Sequence, residues 1–251
     1  MIELNSLVVL TNDGGAITKS TVPTQSGMSL LEVRDIERYL DATRGTLLYA
    51  RRVMLVEGPA ELFLIPPLVE KVMGKRLDEY GISVVPIYGV HFASYAKLFG
   101  QDSIAKKCAI VADGDLKPSD SSNAEDEDAP DPEIPTLDGL ENEYVRVFTC
   151  PHTFERSVSQ LGNLEMLAVA SAEIGARSVA RELRLAHSDL ADKDSLTEED
   201  RALLNELRGK VLATAKRFGK ARFAQVASKH VSLARSLPKY IRDAVEWLTE
   251  E

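Results

Sequence analysis

Three short acidic elements in this sequence have the residue types and spacing of a metal-dependent hydrolytic site. Glu57-Gly58-Pro59-Ala60-Glu61 follows an apolar run at 53–56, and Asp113-Gly114-Asp115 follows another at 108–112. His152-Thr153-Phe154-Glu155 follows a third at 144–148, by way of Cys150-Pro151. In an open parallel sheet the working residues lie at the carboxyl ends of the strands. If the three runs are such strands, Glu57, Glu61, Asp113, Asp115 and Glu155 converge on one edge. Five carboxylates there repel one another strongly, and two divalent ions of the hard, oxygen-preferring kind would relieve the repulsion. Gly58 lets the backbone turn sharply between Glu57 and Glu61. In an extended Asp113-x-Asp115 both side chains fall on the same side of the chain. Taken singly each element has a plain explanation: an Asp-x-Asp at a strand end is common, and acids in the first turn of a helix complement its dipole. The three together, in this order, are much more specific.

The elements that must position these residues follow from hydrophobic periodicity. An extended segment at 6–11, the turn signal Asn12-Asp13-Gly14-Gly15 and a second segment at 16–22 predict a hairpin. Lys19-Ser20 ends a stretch faintly like a phosphate-binding loop, but Asp13 and Thr18 stand where that loop requires glycine. Leu30, Val33, Ile36 and Leu40 form one side of a helix at 30–42. Strands at 53–56, 83–88, 108–112 and 144–148 alternate with helices at 59–73 and 92–98, with Pro59 suited to a first helical turn and Gly74 to a helix end. Apolar strands joined by helical connections predict an α/β fold, a parallel sheet covered on both faces. The acidic, proline-containing stretch 119–135 reads as a mobile surface loop. From 157 onward the pattern is helical, at 178–186, 198–212, 221–234 and 240–248 after a first helix containing Leu161, Leu164 and Leu167. The expected organisation is a lead-in hairpin and helix at 1–45, a catalytic α/β domain at 46–156 and an appended α-helical domain at 157–251.

Composition narrows the function classes. The 251 residues carry 44% hydrophobic and 27% charged side chains, enough apolar material for a packed core and too much for a disordered chain. No apolar run approaches the length of a membrane span, the N-terminus lacks the layout of a secretory signal, and Cys108 and Cys150 are too few for a disulfide framework. A reduced, cytoplasmic setting without membrane contact is the expectation. The formal net charge of −9 hides an asymmetry: residues 1–150 carry 14 Lys+Arg against 24 Asp+Glu, a net of −10, so the remainder is +1. Between Arg208 and Arg242 there is no acid and ten basic residues, Lys220 near the centre. Such a surface attracts polyanions, unless its charges are paired with acids elsewhere in the fold.

The Glu57 and Asp113-x-Asp115 elements, each after an apolar strand, resemble the Toprim domain shared by topoisomerases, bacterial-type primases and certain nucleases. Within that superfamily the chain is similar to the nuclease portion of OLD (overcoming lysogenization defect) proteins. The narrower likeness rests on 37–44 and 47–51 before the first strand, Tyr80-Gly81-Ile82 before the second, Thr153-Phe154-Glu155 after the fourth, and 220–225 in the helical part. It covers roughly residues 30–230, and Arg156 stands where it leads one to expect an aromatic residue. The resemblance implies a Rossmann-like Toprim sheet and a DNA endonuclease using two Mg²⁺ or Mn²⁺ ions, with Ca²⁺ as a non-catalytic substitute. Glu57, Glu61, Asp113, Asp115 and Glu155 would be metal ligands or position metal-bound water, Glu57 among the catalytic residues. Thr153 would assist, and Lys220 would stabilise the transition state. OLD proteins begin with an ABC-type ATPase, so the resemblance also implies that domain as a partner in the full-length protein, a homodimer, and work in DNA repair, replication or phage defence. The chain then reads as a truncated C-terminal region or a stand-alone homolog.

Two other readings compete. A phosphatase using Asp-x-Asp as nucleophile and acid wants that motif on the first strand of its fold. Here it falls on the third, is followed by Leu116, and leaves Glu57 and Glu61 without purpose. A Toprim scaffold that binds nucleic acid without cutting would need no carboxylate cluster.

Overall fold

Residues with alternate faces both apolar build the sheet. The computed structural model describes residues 3–13, 16–21, 27–40, 45–89, 92–114, 137, 139–191, 193 and 195–250. The 119–135 loop, Asp115 and His91 lie outside them. Strands β1 (Val9–Asp13) and β2 (Ala16–Thr21) pair as an antiparallel hairpin whose register shifts between Thr11 and Asn12. Helix α1 (Leu30–Tyr39) starts at a capping box in which Ser29 and Glu32 satisfy each other's backbone N–H groups. A short α2 (Thr46–Tyr49) leads to β3 (Arg52–Val56), α3 (Pro59–Met73), β4 (Ile82–Pro86), α4 (Phe92–Ala96), β5 (Cys108–Asp113) and β6 (Val145–Cys150). The last four strands form one parallel sheet in the order β4-β3-β5-β6. Pro86 ends β4, an edge strand, where a missing N–H costs no sheet hydrogen bond.

Six helices follow: α5 (Phe154–Val158), α6 (Leu164–Glu173), α7 (Arg177–Leu190), α8 (Glu198–Phe218), α9 (Lys220–Ser228) and α10 (Lys239–Thr249). Periodicity places these helices well and their ends less well. Helix α8 runs to Phe218, six residues past the expected end, because good helix formers continue up to Gly219, whose φ of 95° breaks the turn. The single helix expected over 221–234 ends instead at Ser228, with a separate 3-10 turn at Val231–Leu233. β6 extends two residues beyond the expected 148, since Thr149 and Cys150 are buried and pair with the end of β5.

The two faces of the sheet are buried under different helices. Val53, Leu55, Cys108, Ile110 and Ala112 pack with α1, α2 and α4. Met54, Val56, Ala109, Val111 and Cys150 join a second, larger apolar core with α3 and residues of all six later helices. Residues after 157 therefore share a core with the sheet: α10 lies on β3, β5 and β6, and α9 packs along α3. Trp247 anchors α10, its ring beside Phe148 at a centroid distance of 6.1 Å. Lys107 reaches over that ring and donates to the carbonyls of Trp247 (3.0 Å) and Glu250 (2.9 Å), satisfying the open end of the helix. Trp247→Ala is expected to destabilise the protein by about 3–5 kcal/mol, read as a lowered urea midpoint. An unchanged midpoint would show that α10 does not depend on this anchor. Among the described residues, no helix is long and apolar enough to cross a membrane.

Candidate active site

The carboxyl edge of the sheet collects the acids, each placed by a different local device. Glu57 stands just past the tip of β3, and its Oε1 accepts the backbone N–H of Asp113 at 2.9 Å, joining the ends of two neighbouring strands. Gly58 caps α3, and its N–H donates to Glu61 Oε2 at 3.2 Å, turning the buried Glu61 carboxylate back toward the strand end. Asp113 is the last residue of β5, paired in register with Cys150. The chain after β6 is tied to β5 by the Gly114 N–H donating to the His152 carbonyl at 3.2 Å, and the buried His152 is followed by Thr153, which caps α5. Glu155, in the first turn of α5, is buried. Lys220 opens α9 directly after Gly219, and its Nζ lies 3.0 Å from Glu155 Oε2.

The structure thus brings Glu57, Glu61, Asp113, Thr153, Glu155 and Lys220 to one edge. Asp115, expected to join them, falls outside the described residues. Burial, then repulsion from Glu155 and Glu57, pushes Glu61 up from the ordinary glutamate value of 4.5 to about 7. Asp113 is held well above the ordinary aspartate range by burial, then by Glu57 and Glu61. Burial pulls the Lys220 ammonium down, but Glu155, Asp113 and Glu61 together outweigh it and hold the group above the ordinary lysine range.

Two buried oxygens in this cluster, Glu155 Oε1 and Thr153 Oγ1, have no hydrogen-bond partner. Unpaired buried acceptors beside carboxylates that resist ionisation are the donor chemistry a hard cation satisfies. As they stand, no group of three or more His, Cys, Asp or Glu among the described residues is arranged to hold an ion. Several acids instead use internal partners: Glu57 the Asp113 N–H, Glu61 the Gly58 N–H, and Glu155 the Lys220 ammonium.

Sequence reasoning overlooked a supporting layer beneath these acids. The Cys150 thiol donates to the His152 carbonyl at 3.1 Å and lies 3.6 Å from Asp113 Oδ1. Burial pushes that thiol up, so it serves as packing and not as a nucleophile. Tyr240, from α10, is buried and lies close enough to Cys150, Asp113 and Glu61 for each to raise its hydroxyl. Arg156, where an aromatic residue was expected, is buried and its guanidinium donates to Asn205 of α8. Arg208, also on α8, donates to the Ser159 carbonyl at 3.3 Å. These bonds fasten the helix carrying Glu155 to the one that delivers Lys220. No sequence spacing announces them.

The comparisons with known proteins agree with this architecture. The family model described as overcoming lysogenization defect protein-like, TOPRIM domain, matches residues 48–115. The C-terminal region of the Burkholderia pseudomallei OLD protein is 29% identical, over 79% of this chain and 96% of that one, with a TM-score of 0.56. The C-terminal region of the Xanthomonas campestris pv. campestris OLD protein is similar in two solved structures. A platinum-phased one is 27% identical over 82% of this chain and 95% of that one (TM-score 0.56). A mercury-phased one is 28% identical over 80% and 95% (TM-score 0.53). No curated protein matches the chain. With a domain model centred on the acidic strands and solved C-terminal regions matched well beyond it, into the helices, the chain belongs to the OLD family as a Toprim protein.

Proposed function

We propose that this protein is a divalent-metal-dependent endonuclease that hydrolyses phosphodiester bonds in DNA. One observation carries the reading: Lys220, from the acid-free basic segment, enters the carboxylate cluster and meets Glu155 at 3.0 Å. A cluster that only stabilised the fold would have no need of both a buried carboxylate surplus and a half-exposed ammonium. Glu57, Glu61, Asp113, Asp115 and Glu155 would hold two Mg²⁺ or Mn²⁺ ions. Such ions supply a water ionised near neutral pH and neutralise charge on the phosphate.

The chain's own groups then have separable tasks. The carboxylates create a site that is unfavourable without cations, Thr153 offers a neutral oxygen beside them, and Lys220 presents a mobile point charge where phosphate charge increases. Around the Gly219 turn, Lys216, Arg217 and Arg222 are exposed. Farther away, Lys210 pairs with Glu182 and Glu206, Lys229 with Glu173, and Lys239 with Asp243. The basic segment is thus partly a paired, solvated face, and its end nearest the carboxylates is the part available to a DNA backbone. In a full-length setting the same edge would act beside an ABC-type ATPase domain and within a homodimer.

Supercoiled plasmid incubated with Mg²⁺ or Mn²⁺ is expected to be nicked or linearised, and to stay intact with Ca²⁺ or EDTA. Intact plasmid with every ion, alongside salt-sensitive DNA binding, would replace this reading with a non-cleaving binding module.

A further inference from the structure

Beside the acids, the backbone holds one side chain in a conformation it does not favour. Among the described residues, Tyr88 is the only non-glycine with a positive φ, 57°. The left-handed region is unfavourable for a bulky residue and persists only where surrounding structure enforces it. Here β3 enforces it: the Ile87 N–H donates to the Val56 carbonyl at 2.9 Å, and the Gly89 N–H to the Glu57 carbonyl at 3.2 Å. The tip that carries Glu57 therefore also fixes the backbone on both sides of Tyr88. If this turn served only to reverse the chain, glycine at 88 would suit it better, yet glycine comes one position later. The tyrosine side chain is 56% exposed, so burial does not account for keeping it.

An exposed aromatic ring next to a phosphate-cleaving site has one evident use on a nucleic acid, because every base has a face to stack on. We propose that Tyr88 is a stacking platform for an unpaired nucleobase of the substrate, beside the scissile phosphate. In an intact duplex both faces of each base are covered by neighbours, so the ring can engage only single strands, flaps, frayed ends or locally melted segments. Stacking is tolerant of base identity, so the preference created is for DNA structure and not for sequence. This inference rests on the endonuclease reading above and narrows its substrate to DNA with unpaired bases.

The test uses a single-stranded oligonucleotide carrying 2-aminopurine, whose fluorescence is quenched by stacking, titrated in Ca²⁺ with wild type, Tyr88→Phe, Tyr88→Ala and Tyr88→Gly. Wild type and Tyr88→Phe are expected to quench it. The Ala and Gly variants should lose the quenching and bind about five- to a hundredfold more weakly, the range that one base–aromatic stack spans. Affinity for a blunt duplex of the same length should change less than about twofold in all four. Tyr88→Gly should melt no lower than wild type, because glycine accepts the left-handed backbone without strain. Undiminished single-strand binding by Tyr88→Ala, or equal losses on single strand and duplex, would overturn the proposal. Equal losses are what a protein-contact or purely structural role for the ring predicts. Wild-type plasmid cleavage in Mn²⁺ separates the two ideas. Cleavage with no Tyr88 effect sinks this inference alone, whereas Tyr88-dependent quenching without cleavage sinks the endonuclease reading and leaves the stacking site standing.

Discussion

Replacing Lys220 by alanine is expected to slow DNA cleavage about a hundred- to a thousandfold, the usual consequence of removing one preorganised charge from a developing oxyanion. The side chain is 42% exposed and its helix packs along α3 through other residues, so the substitution should leave the fold in place. Its partner fares worse. The Glu155 side chain is only 4% exposed, and without Lys220 its charge is buried uncompensated. The metal-free variant should therefore melt below wild type, and Mn²⁺ should recover more of the difference than it adds to wild type. Single-turnover cleavage and thermal melting, each with Mn²⁺ and with EDTA, read the two effects separately. A variant that cuts as fast as wild type would remove Lys220 from the mechanism. A variant that is slow only because it is unfolded in Mn²⁺ would reduce Lys220 to a structural ion pair.

Why Lys220 could be singled out in the sequence, while its route to the site could not, follows from what short-range pattern records. The runs at 53–56 and 108–112 announce strands because they are apolar on both faces, and Glu57 and Asp113 end them. Parallel pairing then sets those ends side by side. That inference needs only alternation, strand direction and the rule that sites lie at carboxyl ends. The helices after 157 announce an apolar stripe but not the surface that covers it. Nothing local says that α10 lies on β5 and β6, or that Tyr240 arrives beneath Asp113 and Cys150. Arg156 shows the same limit. By type it belongs on the surface, but it is buried because Asn205, 49 residues away, accepts from its guanidinium. The strain at Tyr88 is likewise invisible in sequence, since it comes from hydrogen bonds between the turn and a strand some 30 residues earlier.

Those buried carboxylates also set a balance between stability and activity, which Glu61→Gln should expose. Glu61 titrates at about 7 in the folded protein against an ordinary 4.5. A raised carboxylate contributes stability that is fully present below the unfolded value and is lost as pH rises through the folded one. Metal-free wild type should therefore weaken between about pH 4.5 and 7, by about 3 kcal/mol from this group. Asp113, also held high, adds to the loss with the same sign. Glutamine cannot ionise, keeps an oxygen that can accept the Gly58 N–H, and removes this group's share of the slope. At pH 8 in EDTA the variant should melt about 5–10 °C above wild type, the shift that about 3 kcal/mol gives a chain of this size. Added Mn²⁺ should reverse the ranking, because metal binding displaces protons and stabilises only the carboxylate form. Cleavage should fall about a hundredfold or more, since even partners outside a ligand set cost 10- to 100-fold when lost. Melting curves at pH 5, 6, 7 and 8, with EDTA and with Mn²⁺, decide the matter. A metal-free wild type whose melting temperature does not decline over that range, or a glutamine variant less stable than wild type at pH 8, would mean that Glu61 is not held as a reluctant anion. The cation would then have no repulsion at this position to relieve.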